Sequence, residues 1–205
     1  LIVPMVSMLF ATVYWYNNEA FTHLLLTQPL RRSSLFLARW SALSFGLSAS
    51  FVAGVVLAFA LNGAFSGSVW LLLTIGVVLT WIFSGLGIAV AACVADRMRG
   101  ISFSFSVWLY FALLHDALVF LVLSGLKDYP IEVPGMILMA LNPIDLARVS
   151  LLLALDLSAM MGYTGRILQK VFSGPLGLSL AGLVLFFWLV IPVAVGVRIF
   201  GRRDL

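Results

Sequence analysis

Residues 70–94 read WLLLTIGVVLTWIFSGLGIAVAACV, without a charged side chain among them. A bilayer core needs about 20 mainly apolar residues per helix, so this stretch alone places the chain in a membrane. Three further stretches meet the same length: Trp40 to Leu61, Ile101 to Leu123 and Leu178 to Val197. Leu1 to Tyr16 makes a partial fifth. The chain starts at leucine with no charged leading region, so 1–16 reads as the end of a cut-off span rather than a signal peptide, and an N-terminal piece is expected to be missing. Composition agrees: of 205 residues 63% are hydrophobic and 10% charged, and the mean hydropathy is +1.15, outside the soluble range. The expected fold is all-α, a polytopic transmembrane helical bundle forming one domain over 1–205.

The chain carries 12 Lys and Arg against 8 acids, a net charge of +4 and a pI near 9.6. These bases flank apolar runs and form no aromatic-interleaved groove, so nucleic acid is excluded as a partner. They orient the chain instead. Arg31, Arg32 and Arg39 lie at the start of the first full span, Arg97 and Arg99 between the second and third, and Arg198, Arg202 and Arg203 at the end. If each intervening stretch crosses once, the three clusters share one side, cytoplasmic by the positive-inside rule. The uncharged connector Asn62 to Ser68 and the long segment 124–177 fall opposite. Lone Cys93 rules out an internal disulfide framework or a CxxC site.

Met136 to Leu157 is apolar enough to resemble another span. Asn142, Pro143, Asp145, Arg148 and Asp156 interrupt it, and each charge at mid-bilayer would cost around 2.5–3.5 kcal/mol on insertion scales. It is therefore expected outside the membrane as an amphipathic helix, with Asn142 as cap, Pro143 in the first turn, and Asp145, Arg148 and Asp156 on a polar side. A second short helix is expected from Thr164 to Phe172.

Between Tyr16 and Trp40 the sequence reads YNNEAFTHLLLTQPLRRSSLFLARW. A short surface helix is expected here. Asn17 or Asn18 would cap it, Glu19 suits its positive end, and Pro29 would stop it. Phe21, Leu24, Leu25 and Leu26 supply an apolar stripe, and Arg31 and Arg32 sit at headgroup level. Composition alone leaves two readings, an interfacial anchor or a docking helix.

An acidic residue followed by a short helix ending Leu-Leu-Leu-Thr-x-Pro-Leu-x-Arg and then a long span resembles the cytoplasmic coupling segment of ABC-2 type transporter permeases. The residues that carry the likeness are Glu19, Leu24 to Thr27, Pro29, Leu30 and Arg32. Within that family the chain looks most like the NosY-type permease of the copper-processing system for nitrous oxide reductase maturation, through Leu141, Asn142, Pro143, Asp145 and Arg148 and an intramembrane Asp116. It departs from the family pattern at Ala20 and Phe21, where a Gly-Thr pair is usual, and in showing five spans of six. The resemblance implies a coupling helix, residues 17–39, that docks a cytoplasmic ABC ATPase dimer through Glu19, Phe21, Leu24, Leu25, Leu26, Pro29 and Arg32. It further implies a bacterial inner-membrane homodimer and, for Asn142, Pro143, Asp145 and Arg148, contact with a periplasmic β-helical accessory protein.

No catalytic constellation is present. The chain has no G-x-x-x-x-G-K-[ST] loop and no H-E-x-x-H or clustered His/Cys metal motif. It is expected to be non-catalytic and to bind no cofactor or metal, with ATP and Mg held by the partner subunit. His115 and Asp116 stand inside the third full span, where ionisable groups are costly and usually paired or cavity-facing. They serve either transport or helix packing, the latter through Ser84 or Thr80. Met136 with Met139, and Met160 with Met161, offer soft thioethers to copper, but flexible Met is more often a gap filler. The run Ser84-Gly85-Leu86-Gly87, and Gly46 with Ser50, permit close helix contact suited to assembly of two copies. Tyr14, Trp15, Tyr16, Trp40, Trp70 and Tyr129 fall near span ends as lipid-interface aromatics.

Overall fold

The computed structural model describes residues 1–27, 31–61, 67–125, 132–154 and 175–202, and their regular structure is entirely helical. The elements are α1 (Ile2–Asn17), α2 (Glu19–Leu26), α3 (Arg32–Leu61), α4 (Gly67–Cys93), α5 (Arg97–Leu109), a π-helical turn (Tyr110–Leu114), α6 (His115–Gly125), α7 (Glu132–Ala140), α8 (Pro143–Ala154) and α9 (Pro175–Arg202). Pro29 and the expected helix Thr164 to Phe172 lie outside the described residues, as do Met160 and Met161. Among the described residues, four stretches are long and apolar enough to cross a membrane, α3, most of α4, α5 to α6, and most of α9, or five if the bent pair α7 and α8 counts as one.

α4 is the central helix: α1, α3, α5, α8 and α9 all pack on it. Small residues let it hold that place. A methyl at Gly87 would collide with the backbone of Met8 and with Ala11 and Thr12, and Gly85 lies against Val193 and the indole of Trp40. The Ser84 to Gly87 run, expected to join two copies, is therefore spent inside one chain, because without glycine the backbones could not approach so closely. Gly46, by contrast, has nothing nearby, and exposed Ser50 is on the same side of α3. Polar bonds reinforce the packing. The Thr12 hydroxyl hydrogen-bonds Ser104 Oγ at 2.8 Å, tying α1 to α5, and Ser44 and Ser84 meet at 2.7 Å between α3 and α4.

One end of the bundle gathers all the described arginine clusters. Trp15 at the end of α1 packs its ring on Phe36 near the start of α3 and on Phe200 near the end of α9, with centroids 5.7 and 5.3 Å apart. The Tyr16 hydroxyl donates to the Val94 carbonyl, just past α4, at 2.9 Å. The same ring leaves no room for a side chain at Gly100, near the start of α5. Helix ends that the sequence assigns to one face thus touch each other.

α8 begins at Pro143 behind the Asn142 cap, as expected, whereas the start of the same apolar run belongs to α7. They are two helices bent by 111°. A bend beyond a right angle reverses the chain, and Trp188 of α9 holds the corner by donating its indole N–H to the Ala140 carbonyl at 3.0 Å. The corner is buried: Asn142 is fully covered and Asp145 is 4% exposed. Asp145 was expected on a polar outer side. It turns inward because partners await it there.

Candidate functional site: a coupling helix and a buried polar fastener

At the arginine-bearing end, α2 leaves α1 after a single residue, Asn18. That residue lies where an N-cap would, yet its side chain makes no cap bond to α2. Its amide donates instead to the Tyr14 carbonyl at 2.9 Å, closing the end of α1. The Asn18 carbonyl collects three donors: Thr22 N at 3.0 Å, Thr22 Oγ1 at 2.8 Å and Arg39 Nη2 at 2.8 Å. Arg39 reaches it from α3, is buried, and lies over the Trp15 ring at 5.5 Å, a cation–π contact. Its Nη1 has no acceptor among the described residues. α2 is therefore riveted at its first turn to both α1 and α3.

The expected apolar stripe of α2 divides on this framework. Leu25 is half-buried and packs against the apolar cluster that contains Trp15 and Phe36, whereas Phe21 and Leu24 are 55% and 61% exposed. Glu19 is exposed too. Leu26 belongs to the helix, but its side chain lies outside the description, and Arg32 opens α3 half-buried.

Toward the other end, the sequence treats His115 with Asp116, and Asn142 with Asp145 and Arg148, as unrelated groups. The fold joins them. His115 Nδ1 donates to Asp145 Oδ2 at 3.0 Å, and Asn142 Nδ2 donates to the same oxygen at 2.7 Å. Arg148 bridges the second Asp145 oxygen at 3.0 Å and both oxygens of Asp116 at 3.1 and 3.3 Å. Asn142 Nδ2 also donates to the Phe111 carbonyl at 2.8 Å, inside the π turn, while its Oδ1 accepts from Ile144 N at 2.9 Å. A π turn widens the helix and frees its carbonyls from the regular ladder, so an outside amide can reach one. Asn142 thus caps α8 as expected and, in addition, pins it to the third span.

This geometry bears on two expectations. Asn142, Pro143 and Asp145 are buried, so of that motif Leu141 and Arg148 are the exposed members. Asp116 pairs with Arg148 rather than with Ser84 or Thr80, whose hydroxyls bond Ser44 and the Gly76 carbonyl. His115, Asp116 and Asp145 do bring three ligand-type groups together. The guanidinium of Arg148 pairs with both carboxylates, so these groups are joined in an ion-pair network. Met136 and Met139 pack against the apolar core around Phe83 and Phe111.

Depth follows from helix geometry. Phe111 lies fourteen residues past Arg97 and His115 eighteen, or ~21 and ~27 Å at about 1.5 Å per residue. A hydrocarbon core is ~30 Å thick, so the α7–α8 corner and its fastener stand most of one core thickness away from Arg97, far from α2.

A family model described as ABC-2 family transporter protein matches residues 22–205. The chain belongs to the ABC-2 transporter family. It is the transmembrane component of an ABC transporter, a multi-pass helical membrane protein, and membership implies an ABC ATPase partner and, in general, dimerisation. No curated protein matches it. The match begins at Thr22 within α2, after Glu19 and Phe21, and takes in the polar fastener.

Proposed function

We propose that this ABC-2 permease couples ATP hydrolysis in a cytoplasmic ATPase dimer to work at the opposite membrane face, with α2 as the docking helix. One observation carries the reading: Phe21 and Leu24 are exposed on an eight-residue helix whose leading residue, Asn18, is bound to α1 through its amide on the Tyr14 carbonyl and to α3 through Arg39 on its own carbonyl. An apolar pair on so firmly fixed a helix suits insertion into a partner's groove. The arginine-bearing end is then cytoplasmic, the membrane is the bacterial inner membrane, and the chain works as a homodimer that binds no cofactor of its own, ATP and Mg residing in the partner.

The work delivered is export of a substrate or force on a periplasmic β-helical protein. The segment Leu141, Asn142, Pro143, Asp145 and Arg148 resembles the NosY-type permease and supports a role in copper-site maturation of nitrous oxide reductase. Burial of Asn142 and Asp145 gives that motif an internal duty, to hold the reversed helix pair against the third span. Motion of that span would then move α7 and α8 as one body. The alternatives are an ABC-2 permease for a lipid, a peptide or gliding machinery, or a membrane anchor that transports nothing.

The test is Leu24→Glu combined with Phe21→Glu. Co-purification of the ATPase from mild detergent is expected to fall by tenfold or more with membrane insertion unchanged. Undiminished recovery of the ATPase on the doubly charged helix overturns the docking role.

A further inference from the structure

We propose that a groove between α3 and α9 holds one anionic phospholipid, its phosphate on Arg198 and an acyl chain lying along the groove floor. The groove encloses about 440 Å³. Leu37 and Trp40 of α3 and Val190, Val193, Ala194 and Val197 of α9 line it, with Arg198 as its sole charged side chain among the described residues. The floor is dry in chemical terms: Trp40 has spent its indole N–H on the Trp81 carbonyl at 3.3 Å. Arg198 is exposed, and no carboxylate among the described residues pairs with it.

The position of the cation selects the occupant. Phe200, two residues further on, packs against Trp15 and Phe36, so Arg198 lies at the arginine-bearing end of the bundle, where headgroups lie. From there the groove runs inward to Val190, eight residues or ~12 Å at about 1.5 Å per residue. That is within the reach of one leaflet, about half of a ~30 Å core. A phospholipid brings a phosphate acceptor and an apolar chain in that order and at that depth. A packed helix from a second copy would cover the apolar floor but leave the guanidinium needing a carboxylate. Basic pockets between spans at the cytoplasmic face recognise anionic headgroups in this way.

The experiment is native mass spectrometry of the full chain in mild detergent, titrated in turn with phosphatidylglycerol, phosphatidylethanolamine and inorganic phosphate. One phosphatidylglycerol is expected to stay bound per chain, with weaker retention of phosphatidylethanolamine and none of phosphate. Arg198→Gln should lower phosphatidylglycerol occupancy about fivefold, the equivalent of ~1 kcal/mol per arginine at an anionic surface, and Arg198→Lys should restore most of it. Ala194→Phe, which fills the groove from an exposed position, should reduce retention of both lipids with Arg198 intact. Equal retention of the two lipids, unchanged binding by Arg198→Gln, or capture of inorganic phosphate as strong as that of lipid each overturns the proposal. So does Ala194→Phe dissociating a dimer while lipid retention stays the same, which makes the groove a contact between copies.

Discussion

Arg39 and Asp145 show how differently buried and exposed charges count. Asp145 is 4% exposed and satisfies His115, Asn142 and Arg148 together, so its removal strands two buried donors. Breaking a buried, hydrogen-bonded charge network costs about 3–5 kcal/mol, against 0–1 kcal/mol for an exposed ion pair. Arg148 and Asp116 have side chains 49% and 42% exposed. Asp145→Ala is therefore expected to lower the thermal midpoint in detergent far more than Asp116→Ala, and equal losses would show that the buried half of the network carries no special weight. Arg39 acts on α2 through the Asn18 carbonyl. Arg39→Gln keeps a donor but loses the charge over Trp15. We expect it to leave ATPase co-purification intact while weakening the stimulation of ATP turnover by the permease, with partial recovery in Arg39→Lys. Loss of co-purification and stimulation together would instead make Arg39 a docking residue. Neither role was readable from the sequence, where Arg39 is one of three arginines before a span and Asp145 one acid in an apolar run.

Among the elements, α4 and the α7–α8 pair depend on contacts that hydropathy does not register. Gly87 is one apolar-run glycine among several, yet a side chain there would displace α1. Overpacking costs about 1–3 kcal/mol, so Gly87→Val should loosen the α1–α4 contact and increase proteolysis near Asn17 and Asn18, whereas Gly46→Val, facing open space within the chain, should leave that contact and that cleavage unchanged. A null result for both would remove the close approach from the account of the bundle. The α7–α8 corner was legible in part: Asn142 and Pro143 announced a helix start. What they could not announce is the π turn at Tyr110–Leu114, since nothing in YFALL distinguishes it from ordinary helix. The turn is stabilised from outside, by Asn142 on the Phe111 carbonyl.

Across the molecule, the structure separates two stations along one bundle. The arginine-bearing end carries α2 and the Trp15, Phe36 and Phe200 cluster, and the far part carries the reversed pair fastened to the third span. If the orientation is as proposed, a cysteine at Leu24 in a Cys93→Ser background should react with a membrane-impermeant maleimide only in inside-out vesicles. Labelling from the outside of intact cells would invert the chain and end the coupling proposal.

Residue chemistry alone determined the membrane environment, the all-helical class, the spans and the shared side of the arginines, because apolar length and charge placement act locally and are paid for segment by segment. It also marked His115, Asp116, Asn142, Asp145 and Arg148 as costly in lipid. Only the tertiary structure decided that they share one site, that Phe21 and Leu24 point outward while Leu25 packs inward, and which glycines are spent within the chain. A buried charge shows in the sequence as a penalty. The partner that offsets it comes from another helix, 30 to 32 residues along the chain for this network, and only folding brings the two together.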